Sequence, residues 1–191
     1  MENYLKELSN LTKFPNDSKI QLKLLTLLKD IYEIIKKWEK KQITSNQQSI
    51  EDSLYNLIIQ NRATNDLIIR YIYYIYKHLF DKGHNSHVSD FINKYSLVLH
   101  SKTASNIKGT CLWLLGKVPA KCEYKTPNMN ELIKTLMKYI KSTNDIQNKI
   151  RSLGCIAKLL NLKLPFFVQI IPDILRMIFK QEKSIDNKKM F

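Results

Sequence analysis

Two of the four histidines, His84 and His87, stand three residues apart and close to Asp81, so these side chains could hold a metal ion. Structural zinc sites use four ligands, and cysteine thiolates are common among them. Residues 83–89 contain no cysteine, and the nearest thiol is that of Cys111. We therefore predict a solvated polar loop at this position and no metal site.

The three cysteines, Cys111, Cys122 and Cys155, could act as redox groups or metal ligands, but they lack the close pairs that such motifs require. Cys111 and Cys155 lie within helical apolar patterns, where a free cysteine packs as a small hydrophobic residue. The chain also has no glycine-rich phosphate loop and no nucleophile elbow. We expect no catalytic residue, no cofactor, and a reducing, intracellular setting.

A run of tyrosines at residues 71–76, beside Arg70, Lys77 and His78, has the composition of a surface that stacks the bases of single-stranded nucleic acid. Within a helix, however, four tyrosines in two turns must point in several directions. Two or three of them are then needed for packing, with their hydroxyls at the edge of the core. We predict that this run belongs to the core.

Charge supplies the one candidate binding surface. The net charge of +14 comes from 31 Lys and Arg against 17 Asp and Glu, and it could serve nucleic acid, an anionic membrane or an acidic protein. Only four of the basic residues are arginines, which carry most specific phosphate and base recognition. Lys77, Lys117 and Lys158 fall near the ends of successive helices, and we predict that they form a partner-binding basic stripe. Matching of the helix dipole is the alternative reason for cations at these positions.

The elements that carry these residues are predicted to be helices. Glycine (4 residues) and proline (5 residues) are rare, whereas folds rich in strands need frequent turns. Apolar residues recur at helical spacing in most of the chain. The predicted helices cover residues 18–41, 46–60, 65–81, a short stretch after Ser89, 103–118, 130–140, 146–160 and 164–181.

Residue types at the helix ends predict where the helices start and stop. Lysines of the segment 36–41 are placed at the carboxyl end of the first predicted helix, where the dipole favours cations. Pro119 is expected to end the helix before it. Caps are expected at Ser18, Asp66, Ser89 and Asp145.

A dyad of one isoleucine and one basic residue recurs at about 40 residues, the length of a HEAT or armadillo unit. The dyads are Ile69-Arg70, Ile107-Lys108 and Ile150-Arg151, each early in the second helix of a pair. Small residues that follow them allow neighbouring helices to approach closely. We interpret Arg70, Lys108 and Arg151 as a structural ladder, in which Asp66 and Asp145 reach the basic residues and link successive repeats.

This period predicts an all-α fold, a right-handed α-solenoid of HEAT-like antiparallel helix pairs. One domain is expected over residues 1–181, with repeats at 46–81, 85–118 and 126–161, an incomplete repeat at 164–181 and a frayed basic tail at 182–191. Apolar residues surround the 164–181 helix, so we expect it to be covered by self-association, another chain or further repeats. Polar residues interrupt it, and no secretory signal opens the chain, so a soluble protein without a transmembrane segment is expected.

Residues 107–116 (IKGTCLWLLG) and 150–157 (IRSLGCIA) resemble the second helix of a HEAT repeat. This resemblance covers about residues 46–181 and implies a solenoid whose second helices line a concave side that holds other proteins. Residues 61–64, 67–70, 90–94 and 108–117 look like the amino-terminal region of the very long HEAT-repeat proteins that accompany clathrin adaptors. That second resemblance implies a cytoplasmic scaffold of vesicle traffic, peripheral to endosome or Golgi membranes.

We therefore predict a non-enzymatic scaffold or adaptor that binds protein partners. The alternative is a basic helical-repeat module for nucleic acid or an anionic membrane, whose binding would depend strongly on salt. An enzyme with a site assembled from scattered residues is the third class. No set of residues in the sequence meets the requirements of such a site even in outline.

Overall fold

The structure is a computed structural model that describes residues 1–83, 86–121 and 128–160, together with Pro172. Every regular element within these residues is a helix, which confirms the all-α prediction. The predicted helix at 164–181 and the tail at 182–191 lie outside this part of the chain, apart from Pro172, as do His84 and Cys122. The helices are α1 (Glu2–Leu11), α2 (Ser18–Lys36), α3 (Lys40–Ile59), α4 (Asp66–Lys82), α5 (Ser86–His100), α6 (Ser105–Lys121), α7 (Asn128–Ser142) and α8 (Ile146–Leu160).

The even-numbered helices lie side by side in one row, because α2 contacts α4, α4 contacts α6, and α6 contacts α8. Among the odd-numbered helices, α1 contacts α3 and α5 contacts α7. Each odd-numbered helix also packs against the even-numbered helix that follows it. None of the helices in the described residues is long and apolar enough to cross a bilayer.

Apolar side chains at helical spacing hold the two sets of helices together. In α2 the buried residues recur every three or four positions, so one face of the helix is apolar. Full burial of one Leu or Ile side chain contributes about 1.5–3 kcal/mol. The buried residues of this helix are Ile20, Leu24, Leu27, Leu28, Ile31 and Ile35.

Three of the predicted caps are wrong by one or more residues. Asp17, and not Ser18, caps α2 by accepting from the backbone N–H of Ile20 at 2.8 Å. Asn65 caps α4 in place of Asp66. In both cases the earlier residue has the extended backbone that lets its side chain reach forward. Helix α5 begins at Ser86, so Ser89 lies inside it.

The predicted cap at Asp145 is confirmed, since its carboxylate accepts from the backbone N–H of Asn148 at 3.0 Å. The Ser105 hydroxyl and this backbone bond hold the pKa of Asp145 below its ordinary value. The side chain therefore stays ionised at the positive end of the α8 dipole.

The first predicted helix is wrong at its carboxyl end. Helix α2 ends at Lys36 and α3 begins at Lys40, so part of the lysine cluster lies in the first turn of α3. The backbone N–H of Glu39 donates to the Gln42 side chain at 3.0 Å, as in a capping box. This local bond starts α3 six residues before the predicted Asn46.

Two further differences concern helix α1 and Pro119. Helix α1 was not predicted; its buried residues are Leu8 and Leu11, and it packs against α2 and α3. Helix α6 runs through Pro119 and ends at Lys121. Because Pro119 is the third residue from the end, its missing N–H removes a hydrogen bond only from the last turn.

Helices α6 and α8 approach each other closely at Gly116. A Cβ atom added to Gly116 would lie 3.1 Å from the Cα atom of Cys155 and 3.3 Å from its Cβ and Sγ atoms. Gly154, the next residue along α8, faces open space, with nothing within 4 Å of an added Cβ. The predicted close approach through small residues therefore holds for Gly116 and Cys155 but not for Gly154.

We expect Gly116→Ala to lower the free energy of unfolding by about 1–3 kcal/mol, because the backbone of α8 must move away from the new methyl group. Gly154→Ala should raise it by about 0.5–1 kcal/mol, since alanine restricts the unfolded chain and favours the helix. Urea titrations of both variants test this pair. Equal stabilities would contradict the close helix contact.

A buried hydrogen-bond chain joins α3, α4 and α5. The Tyr76 hydroxyl donates to the backbone carbonyl of Glu51 at 3.1 Å, and it lies 2.9 Å from the Tyr95 hydroxyl. Both rings are almost fully buried. Because the Tyr76 proton is used by the carbonyl, the Tyr95 hydroxyl acts as the donor between the two tyrosines.

Tyr76→Phe should therefore destabilise the protein by about 1–3 kcal/mol, since it leaves two buried groups without their partner. Tyr95→Phe removes only a donor to Tyr76 and should cost less. Tyr74→Phe, at an exposed position, is the matched control and should change little. Chemical denaturation of the three variants gives the order, and an inverted order of the first two would refute the donor assignment.

Candidate functional site

The three lysines of the predicted stripe lie on three successive helices of the even-numbered row. Lys77 on α4 forms an ion pair with Asp81, with 2.6 Å between Nζ and Oδ2. The ammonium group of Lys117 on α6 lies 5.8 Å from the ring centre of Trp113. Lys158 on α8 is exposed. Their joint action as a partner-binding surface stays a prediction.

Aromatic rings form a continuous row across α2, α4 and α6. The aromatic row, as we call it, consists of Tyr32, Tyr74, Tyr73 and Trp113. Successive ring centres are 5.8, 5.4 and 5.7 Å apart. These separations are favourable for aromatic pairs. The row therefore holds three helices together while it forms part of their surface.

Exposure and charge make the aromatic row a candidate for binding. Tyr74 is 41% exposed, and the other three rings are half-buried. A lysine lies over the ring at each end, with Lys36 5.4 Å from the centre of Tyr32 and Lys117 at Trp113. Such a surface offers apolar area flanked by positive charge.

The tyrosine run was predicted to belong to the core, with two or three of its rings needed for packing. This is confirmed, since Tyr76 is buried and Tyr71 and Tyr73 are half-buried and pack against the core. Tyr74 is exposed. Tyr74 stands four residues after Arg70 and three before Lys77, so one helix face carries all three. That spacing was the available signal for a surface role. The contribution of Tyr32 and Trp113 depends on contacts between helices.

A cavity of about 340 Å³ opens next to Trp113, where α4, α6 and α8 meet. We call it the arginine cavity because Arg70 and Arg151 both line it, from α4 and α8 respectively. Its remaining lining residues are Ala63, Thr64, Asp66 and Ile69 at the start of α4, with Asn106, Gly109, Thr110 and Trp113 of α6.

The side chain of Arg151 is exposed, and its guanidinium is oriented by one hydrogen bond to a buried amide. Its Nη1 donates to Oδ1 of Asn148 at 3.1 Å, and Asn148 is fully buried. The Asn148 amide nitrogen in turn donates to the backbone carbonyl and the hydroxyl of Ser105, at 3.0 and 2.8 Å. The start of α6 therefore orients an arginine of α8.

Gly109 makes room for this arrangement. A Cβ atom added there would lie 2.4 Å from Nη1 of Arg151 and 3.1 Å from Oδ1 of Asn148. The guanidinium thus rests directly on the bare backbone of α6. Any larger residue at this position must push the guanidinium aside.

Two of the three helices that line the cavity carry basic residues and no acidic ones. The sequences of α6 and α8 contain neither Asp nor Glu. Asp66 is the one carboxylate among the lining residues. Within the described residues, no carboxylate oxygen lies within 4 Å of the guanidinium of Arg70 or Arg151. Both arginines are exposed and can meet an anion from outside, and Asp145, the cap of α8, lies near enough to interact with Arg151.

The predicted ladder is wrong in its ion pairs, because within the described residues neither Asp66 nor Asp145 pairs with a basic residue of a dyad. Arg70 and Arg151 line the cavity, while Lys108 lies 5.7 Å from the ring centre of Tyr139. Asp145, the cap of α8, does link successive helix pairs as predicted, but it does so by accepting a hydrogen bond from Ser105, and Asn148 of α8 donates to the same residue. Side chains at equivalent repeat positions differ because their neighbours on the next helix differ.

Residues considered for chemistry have other roles in the described structure. His87 lies 3.1 Å from the Glu51 carboxylate, and Asp81 pairs with Lys77, so two of the three residues that were considered as metal ligands and rejected have protein partners. Burial raises the pKa of Cys111 and of Cys155 to about 12. Their thiols are therefore neutral and unreactive at physiological pH.

Glu51 generates a pH dependence of stability. Burial raises the pKa of this carboxyl, and the hydrogen bond with His87 offsets that rise only in part. Because the folded state then holds the proton more tightly than the unfolded state, stability falls as pH rises from the ordinary glutamate range through the raised pKa.

Glu51→Gln cannot ionise, so its stability relative to the natural chain should increase with pH across that window. Exposed Glu131→Gln is the matched control and should show no such trend. Urea midpoints measured between pH 4.5 and neutrality compare the two. A difference between Glu51→Gln and the natural chain that stays constant with pH would contradict the burial of an ionisable carboxyl.

Comparison of this chain with family models, with curated proteins and with solved structures gave no match. The functional argument therefore depends on the aromatic row and the arginine cavity themselves.

Proposed function

We propose that this chain is a non-enzymatic scaffold whose even-numbered helices bind an acidic, extended segment of a partner protein. The proposed architecture is a HEAT-like, right-handed solenoid in which each odd-numbered helix backs an even-numbered one. Its support is the order of helix contacts, in which pairs repeat along the chain and the second helices adjoin. We further propose that the scaffold acts in vesicle traffic. The support is the resemblance of residues 61–64, 67–70, 90–94 and 108–117 to the amino-terminal region of the long HEAT-repeat proteins that accompany clathrin adaptors.

The observation that carries the proposal is the aromatic row, which leads from α2 across α4 to the arginine cavity beside Trp113. Aromatic residues and arginine are the types that dominate the energetics of protein interfaces. Exposed Tyr74 lies in the middle of this surface, and cations lie at both ends. A segment with alternating acidic and apolar side chains would match both features.

Nucleic acid is the alternative ligand, and ring geometry argues against it. Base stacking needs an open ring face. The faces of Tyr32 and Trp113 are already approached by Lys36 and Lys117, and the Tyr73 and Trp113 rings meet edge to face at 84°.

Panning of a random peptide library on the purified chain tests the proposal. We expect enrichment of peptides that combine Asp or Glu with aromatic or aliphatic residues. Tyr74→Ala should weaken their binding by about tenfold, because it removes an exposed ring at the centre of the surface. Fluorescence anisotropy of the selected peptides gives the dissociation constants.

Leu97→Ala is the matched control, since Leu97 is 74% exposed and lies on α5, outside the even-numbered row. It should leave peptide binding unchanged. Single-stranded oligonucleotides and vesicles with anionic lipid are titrated in parallel. The proposal fails if no peptide class is enriched, or if only oligonucleotides or vesicles bind in a manner sensitive to Tyr74→Ala and to salt.

A further inference from the structure

We propose that the arginine cavity is a specificity pocket for one side-chain carboxylate, from an Asp or Glu of the acidic segment. This inference rests on the proposed function and adds the chemistry of a single contact. Two guanidinium groups on different helices, Arg70 and Arg151, line one space of about 340 Å³. That volume equals about ten water molecules, so a carboxylate side chain and some solvent fit together.

Preorganisation distinguishes this pocket from a general patch of positive charge. Arg151 is oriented through the buried Asn148 and the backbone of Gly109 before any ligand arrives. Holding a long side chain in its bound conformation reduces the entropy lost on binding. The planar fork of this guanidinium then donates two parallel hydrogen bonds to a carboxylate.

The charge of the pocket favours a carboxylate over a phosphate. Two arginines and Asp66 give a net charge of about +1 among the lining residues, and Asp145 beside Arg151 lowers the positive potential further, so a ligand of low charge fits best. A phosphate monoester carries about −1.5 to −2 at neutral pH and would meet stronger repulsion from these two carboxylates than a side-chain carboxylate would. Asp66 can instead accept a hydrogen bond from a backbone N–H of the ligand. Trp113 and Ile69 contact the apolar stem of the ligand's side chain.

The test uses small probes that need no partner protein. N-acetyl-glutamate methylamide supplies the carboxylate with both ends blocked, and N-acetyl-glutamine methylamide is the neutral match. Nuclear magnetic resonance records the Nε–H signal of Arg151 and the indole N–H of Trp113 during each titration. We expect saturable shifts with the glutamate probe, at a dissociation constant of about 1 mM, and none with the glutamine probe.

Gly109→Ala should raise the dissociation constant of the glutamate probe at least tenfold, because the new methyl group occupies the place of the Arg151 guanidinium. Gly154→Ala is the matched control, since it makes the same change on α8 in open space, and it should bind as the natural chain does. Arg151→Gln provides a second variant if Gly109→Ala is poorly folded. Circular dichroism confirms the helix content of each variant.

Equal shifts with the two probes, or shifts that persist in both Gly109→Ala and Arg151→Gln, would overturn the pocket. N-acetyl-phosphoserine methylamide is a further probe. If it binds more tightly than the glutamate probe, and if Gly109→Ala weakens that binding, the pocket takes a phosphate and not a carboxylate. The proposed function fails separately, through the absence of peptides that depend on Tyr74. A chain that selects such peptides but ignores both small probes would retain the scaffold and lose the pocket.

Discussion

The close contact between α6 and α8 is the constraint on which the candidate surface depends. Gly116 lets the backbone of α8 approach at Cys155, and Asn148 fastens the start of α8 to Ser105. With both ends of the contact fixed, Arg151 must lie over Gly109 and point into the space beside Trp113. Helix separation thus decides the position of a charged group, because packed cores deform little.

Helices α2, α4 and α6 are joined by contacts between aromatic rings. The aromatic row extends from Tyr32 to Trp113 and serves packing and exposure together, since each ring presents an apolar body to its neighbour and part of its edge to solvent. Behind it, the buried hydroxyls of Tyr76 and Tyr95 and the backbone carbonyl of Glu51 fix how α3, α4 and α5 meet. Polar groups in that position specify one arrangement, because any slip would leave them without partners.

Much of the helical framework was predictable because its signals are local. Apolar spacing within one turn or two located α4, α6 and α8 to within a few residues of their observed ends. The errors came from local competition that spacing does not reveal, as at Glu39, where a capping box starts α3 early. Pro119 was misjudged because proline near the end of a helix removes little.

Residue types and their spacing were enough to predict most of the helices, the lack of acidic residues in α6 and α8, and the small residues that permit close packing. That Tyr32, Tyr74 and Trp113 lie in one row, and that Arg70 and Arg151 share one cavity, becomes visible only once the helices are packed. These groups are separated by about 40 to 80 residues. Their meeting depends on the order and separation of whole helices, which arises from the sum of many weak packing contacts and leaves no local pattern to read.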